Sequence, residues 1–260
     1  MTQLLALILA LLAGPFAAAQ APAPAAAAAP LPPDASIEQI LTALHARGEG
    51  LKDFTADVAL AEIDALTGEA TTLIGTVWFK APAEGQGRLR TLFDSKKIGD
   101  RLDNTARLEY LLDNGWLIER DFKRKIQVDR QVLKPGQKMN LLKLGEGPFP
   151  LPIGQPPAEV QKLFEVKKLD PKGDDPRNTL HIQLLPRAST QFARKFKSID
   201  VWVDTQTHFP RKIETVDSRE TGIRATDLTN IKVNSNLDDK FFVLDPVGND
   251  WRRQSEAMAE

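Results

Sequence analysis

The sequence predicts an α+β chain that is mainly antiparallel sheet with a few short helices. Three observations carry this reading. From Leu51 onward apolar residues recur with a period of two, interrupted at short intervals by Gly, Pro, Asn and Asp. Helical spacing is confined to a few short stretches. Finally, "YLLDNGWLIERDFKRKIQVDR", residues 110–130, reads as three strands in a row. Its Asn114-Gly115 lies between two apolar runs, and a two-residue hairpin turn needs positive φ at both central positions.

The elements follow in order. Leu4 to Leu12 ("LLALILALL") is an apolar run of signal-peptide length, followed by Gly14-Pro15 and the small residues Ala17-Ala18-Ala19. It is too short for a permanent bilayer anchor. No Lys or Arg precedes it, so only the α-amino group supplies positive charge. Cleavage is expected after Ala19, with export to the periplasm. Residues 20–33 ("QAPAPAAAAAPLPP") form an uncharged Ala/Pro spacer, expected to be extended and disordered. Residues 34–260 are expected to form a single domain.

Asp34 or Ser36 caps a helix running to about Arg47, with Ile37, Ile40, Leu41 and Leu44 on one face and Gly48 and Gly50 ending it. In "FTADVALAEIDAL", Phe54, Ala56, Val58 and Leu60 alternate against Thr55, Asp57 and Ala59. "TTLIGTVWFKAP" continues with Leu73, Val77 and Phe79 in one phase and stops at Pro82, and "GRLRTLF" sets Leu89, Thr91 and Phe93 against Arg88, Arg90 and Leu92. Further strands are expected near 106–112, 116–120 and 125–129. Residues 135–164 break the rhythm with helical pieces around Lys138–Leu144 and Pro157–Phe164, joined by a Gly/Pro loop. Strands resume near 164–170, 179–185, 199–204, 211–216 and 222–234, and Pro246 is expected to end the sheet. Sequential strands joined by short turns predict an antiparallel meander with one buried face.

Composition removes several functions. The formal net charge is -1, which argues against neutralising nucleic-acid phosphates. Cysteine is absent, so disulfides, thiolate metal sites and a lipidated N-terminal Cys are excluded. His45, His181 and His208 lie far apart in sequence, without ligand spacing. No nucleophile elbow, P-loop, dinucleotide fingerprint or EF-hand is present. Asp174-Asp175 and Asp238-Asp239 sit beside turn residues, where Asp serves the backbone. Neither catalysis, a metal nor a cofactor is indicated.

Aromatic residues occur on nearly every strand. Core filling accounts for any one of them. Trp78 and Trp202, however, fall in the phase opposite to their apolar neighbours, so both faces of some strands carry apolar bulk. That suits a curved sheet with a covering helix on one face and a hydrophobic guest on the other.

The capped helix, "LKDFTADVAL", "GTVWFKAP", "YLLDNGWLIERDFKRKIQV", the Pro/Gly-rich middle and the tail from "VWVDTQTHFPRKIETVDS" to "KFFVLDPVG" together resemble the periplasmic lipoprotein-carrier (LolA-like) family. The likeness covers roughly Ser36 to Gly248 and rests on the order and spacing of the pieces. It implies an incomplete, strongly curved antiparallel barrel closed by short helices. The function it implies is a soluble, monomeric carrier of lipoprotein or lipid acyl chains across the periplasm. An inner-membrane release complex and an outer-membrane receptor are the implied partners, and no catalysis is implied. Family carriers often latch the lid with an arginine just before the proline ending the second strand. Ala81 occupies that place here, which moves the latch role to Lys80 or Arg88.

The expected cavity lining is Val77, Phe79, Leu89, Phe93 and Leu111 from the first strands. Trp116 and Ile118 extend it beyond the hairpin, and Leu141, Leu142, Phe149 and Ile153 come from the helical middle. Two alternatives stay open: a lipid-sensing, partner-binding envelope protein of related fold, and a secreted hydrolase with unrecognised carboxylates.

Overall fold

A computed structural model describes residues 29–81, 87–134, 137, 141 and 153–258 of the chain. Helix α1 (Ile37–Glu49) starts at Ser36, whose side chain accepts from the Gln39 amide at 3.2 Å while the Gln39 side chain accepts from the Ser36 amide at 2.8 Å. This reciprocal capping box satisfies two amides that a helix start leaves open. Ile40, Leu41 and Leu44 are buried and Gly50 is the C-cap. Gly48 therefore has another task. A Cβ on it would lie 2.2 Å from the Gly154 nitrogen, and Gly154 donates to the Leu44 carbonyl at 3.2 Å. The bare Gly48 lets the returning chain lie against the helix end.

Thirteen strands form one sheet: β1 (Asp53–Asp64), β2 (Ala70–Lys80), β3 (Arg88–Ile98), β4 (Arg101–Asp103), β5 (Leu108–Asp113), β6 (Trp116–Asp121), β7 (Ile126–Gln131), β8 (Phe164–Leu169), β9 (Thr179–Pro186), β10 (Phe196–Asp204), β11 (Pro210–Asp217), β12 (Gly222–Val233) and β13 (Arg252–Glu256). The order is β13-β7-β6-β5-β3-β2-β1-β12-β11-β10-β9-β8, with β4 paired to β3 alone. Two meanders thus join where β1 meets β12. The ends never meet, and the result is an incomplete, curved barrel.

Helix α2 (Pro157–Leu163) precedes β8 and packs with α1 over that end of the sheet. There Ile40, Leu41, Leu44, Val160, Phe164, Ile182, Leu184, Ile199 and Val201 are sealed from solvent. The Asn114-Gly115 hairpin has φ of 50° and 78° at its two central residues, the left-handed turn its sequence predicts.

Three features differ from expectation. The sheet does not end at Pro246, because β13 returns and pairs in parallel with β7. Its sequence, RRQSE, has no apolar alternation to announce a strand. The predicted spacer is attached at its end: the Leu31 amide donates to the Thr205 carbonyl at 2.8 Å, and Lys168 donates to the Pro33 carbonyl at 2.8 Å. The expected helical piece at Lys138–Leu144 lies outside the described residues except for Leu141, as do the leader and the spacer up to residue 28.

A β-bulge divides β3. Gly75 pairs with Phe93 and Ile74 with Ser95, which leaves Asp94 as the extra residue. Gly75 makes the tight approach possible, since a Cβ there would lie 1.9 Å from the Leu92 carbonyl oxygen. Phe93 and Lys96 consequently share one face, where strict alternation would have paired Phe93 with Ser95. Gly75→Ala is expected to lower stability by about 2 kcal/mol or more, the scale of overpacking, read as a lower urea midpoint. An unchanged midpoint would contradict the close approach.

Candidate functional site: an apolar cavity on the concave face

Register sets the concave face row by row. Phe54, Phe79, Leu89 and Leu112 stand side by side across β1, β2, β3 and β5. Farther along β1, away from α1, come Val58, Gly75, Phe93 and Leu108, and then Leu60, Leu73 and Lys96. Glu62 and Thr71 form the outermost row. From the other side β12 contributes Leu228, Thr226 and Arg224, and Ile213 of β11 completes the wall.

These side chains enclose a cavity of about 810 Å³ lined by seven strands, which a flat sheet could not bring together. The volume lies within the roughly 300–1,000 Å³ typical of small-molecule sites. Its lining is mainly apolar, with Thr91 and Tyr110 among the inner rows and charged side chains at its edge. At the rim Arg224 donates to Glu62 at 2.7 Å and Arg130 donates to Glu119 at 3.0 Å. Tyr110 also faces the cavity; burial first, then the carboxylates Glu119, Glu62 and Asp121, raise its phenol above the ordinary value. The phenol is therefore neutral at physiological pH, and register sets it in the row of Ala56, Val77 and Thr91, beside Glu119 of β6.

The expected lining residues divide into four groups. Val77, Leu89 and Phe93 line the cavity. Phe79, Leu141 and Ile153 are buried in the adjoining core. Phe79 stacks on Phe54 with ring centroids 5.3 Å apart, and Leu141 packs where a Cβ on Gly87 would also touch Phe79. Leu111, Trp116 and Ile118 face the convex side, because Leu89 pairs with Leu112 and Leu112 with Leu117; Leu111 and Ile118 therefore point the other way together with Trp116. The cavity takes Leu112 and Leu117 instead. Leu142 and Phe149 lie outside the described residues. The sequence reading also passed over Lys96, Tyr110, Glu119 and Arg224.

The convex face is not left to water. A 3₁₀ turn at Asp239–Phe242 straps the C-terminal segment across it. Trp78 stacks on Phe241 at 5.9 Å, Leu111 and Phe242 are buried together with Leu237, and the Arg90 guanidinium donates to the Phe241 carbonyl at 2.7 Å. Lys80 and Arg88, the candidate latch, both bind Asp239, at 2.6 and 2.5 Å. The segment they hold is this strap, on the face opposite the cavity. Trp78 thus meets the chain's own tail. Trp202 is likewise occupied: it stacks on His181 at 4.0 Å and donates to Asp175 at 2.7 Å.

Two buried polar groups lie on this face, of which the sequence reading named only His181. Glu109 is 2% exposed and bridges Arg90 at 2.5 Å and Arg120 at 3.4 Å. His181 lies 2.8 Å from Asp200. Trp202 stacks on the His181 ring, and Gln183 donates to Asp200 at 3.1 Å. Among the described residues no group of three or more His, Cys, Asp or Glu could hold a metal, and no helix is long and apolar enough to cross a membrane.

No protein-family model and no curated protein matches the chain. Solved structures similar to it include an uncharacterized conserved protein from Thermus thermophilus, at 10% identity over 84% of this chain and 97% of that one, with a TM-score of 0.47. The MucA/MucB complex of Pseudomonas aeruginosa is similar at 11% identity over 80% and 60%, TM-score 0.44. A LolA superfamily protein from Nitrosomonas europaea is similar at 12% identity over 81% and 99%, TM-score 0.31. Likenesses of this size say nothing of ligand or partner.

Tyr110 is the only tyrosine, so phenolate absorbance reports on the cavity directly. Its midpoint is expected above the ordinary value of about 10 and should rise further when an apolar ligand displaces water. Because the folded value is raised, its contribution to stability is complete below that ordinary pKa and is lost as pH climbs through the folded one. A midpoint at or below the ordinary value would contradict the burial.

Asp239 behaves oppositely. Hydrogen bonds from Lys80 and then Arg88 hold its carboxyl below the usual range. The strap is thus supported above the ordinary carboxylate pKa and loosens as pH falls through the lower folded value. Asp239→Asn is expected to speed tryptic cleavage at Lys240 at neutral pH; unchanged cleavage would mean that the ion pairs do not hold the strap.

Proposed function

We propose that the chain is an exported carrier that sequesters acyl chains of lipids or lipoproteins in the concave cavity and moves them through the periplasm. It performs no covalent chemistry. The observation that carries this reading is the cavity itself: about 810 Å³, mainly apolar, with charged side chains at its edge. An amphiphile has the same polarity profile from tail to head.

The energetics give the cavity a purpose. Burying one methylene contributes about 0.8 kcal/mol, so a chain of about sixteen carbons exposes on the order of 13 kcal/mol of unfavourable surface in water. Free passage through an aqueous compartment is then negligible, and a protein shield makes transfer feasible. The apolar run Leu4 to Leu12, read as an export signal, supports the compartment, and the LolA-like resemblance points to the same task.

Native mass spectrometry and lipid extraction of the purified protein test the reading, followed by transfer of labelled lipid between two vesicle populations. Bound lipid that is passed on supports a carrier. Bound lipid that is never released favours a sensor, and absence of any acyl binding sinks both. Leu73→Trp puts an indole into the cavity from a half-buried position. It is expected to leave the fold intact by circular dichroism and to weaken acyl binding at least about tenfold, the loss of roughly two buried methylenes.

A further inference from the structure

The cavity's shape and charge narrow its cargo, on the premise that it binds acyl chains at all. We infer that it takes an acyl chain with an anionic head, and that Lys96 receives the head.

The floor takes a tail lengthwise. If a methylene occupies about the 30 Å³ of a water molecule in the liquid, a sixteen-carbon chain fills about 480 Å³, well within the cavity of about 810 Å³. Depth agrees with this. The Leu60, Leu73 and Lys96 row lies six residues along β1 from the Phe54 row, about 20 Å at the rise of a strand. A single tail can run the length of that floor and bring its head to Lys96.

Charge sets the head. Among the described residues four charged ones line the cavity: Glu62, Lys96, Glu119 and Arg224. Glu62 is paired with Arg224 and Glu119 with Arg130. Asp103, opposite Lys96 in register, has its carboxylate engaged by Thr105 at 2.6 Å and Lys123 at 3.2 Å. Lys96 makes no ion pair or hydrogen bond with any described residue, so it is the uncompensated charge over the cavity.

Its position is also built rather than incidental. The extra residue Asp94 shifts the alternation of β3, and without it Lys96 would face outward. Gly75 alone permits that bulge. Bulges commonly re-aim a side chain at a binding site. An ammonium at the border between apolar floor and solvent suits a carboxylate or a phosphate, and the geometry does not prefer one.

Binding to delipidated full-length protein tests this with three probes: palmitate, palmitoyl lysophosphatidate and hexadecanol. Palmitate or lysophosphatidate should bind, and whichever binds more tightly identifies a fatty acid or a phospholipid source. Lys96→Ala should weaken the anionic probes about tenfold, the scale of a charge-assisted hydrogen bond. Hexadecanol binding should stay unchanged, and Lys96→Arg should restore anion binding. Equal loss of palmitate and hexadecanol in Lys96→Ala, or no loss of either, would overturn the head assignment while leaving the carrier reading intact. Failure of all three probes on the unmodified protein would remove the carrier reading and this inference with it.

Discussion

A mismatch of area governs the molecule. Twelve strands in succession, each about 4.8 Å from the next, give a sheet about 50 Å across, while a helix with its side chains is about 10–12 Å thick. Helices α1 and α2 together can cover only about four or five strands. They settle over the β8 end, where Phe164, Ile182, Ile199 and Val201 meet Ile40, Leu44 and Val160. Over β1 to β6 the sheet curls toward itself, and its concave side chains face one another across a gap. Curvature there creates a cavity because neither described helix is broad enough to fill it.

The convex face solves the complementary problem by other means. Its central strands carry Trp78, Leu111 and Ile118, which a solvated face would not tolerate together. The chain covers them with its own C-terminal strap, and β13 then pairs along β7. Between strap and sheet lies Glu109, held by two arginines. Removing one partner of such a buried set costs about 3–5 kcal/mol, because it strands a charge away from water. That penalty fixes which face of β5 turns inward. With Glu109 committed to the convex side, Leu108, Tyr110 and Leu112 must face the cavity.

Much of this was legible where a local rule suffices. Ser36 with Gln39 three residues on, and Asn114-Gly115 between apolar runs, each specify backbone through their own side chains or φ. On β2 and β3 the phase was legible, since Thr76 beside Val77 and Arg88 and Arg90 beside Leu89 mark the outward face. The reading failed at β5, because Leu111 and Leu112 are adjacent and either phase looks apolar. Only the pairing of β3 with β5 decides, and the β4 excursion hides that register from the sequence. β13 was invisible for a related reason: a parallel edge strand of exposed charged residues has no alternation to detect. The bulge did leave a trace, since an isolated Gly inside a strand pattern signals close backbone approach. Gly75 was such a residue, and following it would have led to Lys96.

The proposed carrier must also let go, and the row structure of the cavity offers a way to limit affinity without a separate device. Each methylene left in water removes about 0.8 kcal/mol, roughly a fourfold change in affinity. The inner rows at Phe54 and Val58 are buried, while Leu60 and Leu73 are only half-buried and Glu62 is exposed. Methylenes near the rim therefore contribute less than those at the floor. Withdrawing a tail row by row loses the weakly held carbons first, so the cost of release accumulates gradually. An apolar pocket sealed on every side would have to open before any of that cost could be recovered in the receiving membrane. The open barrel, whose edge strands β13 and β8 are not joined to each other, is the geometry that avoids it.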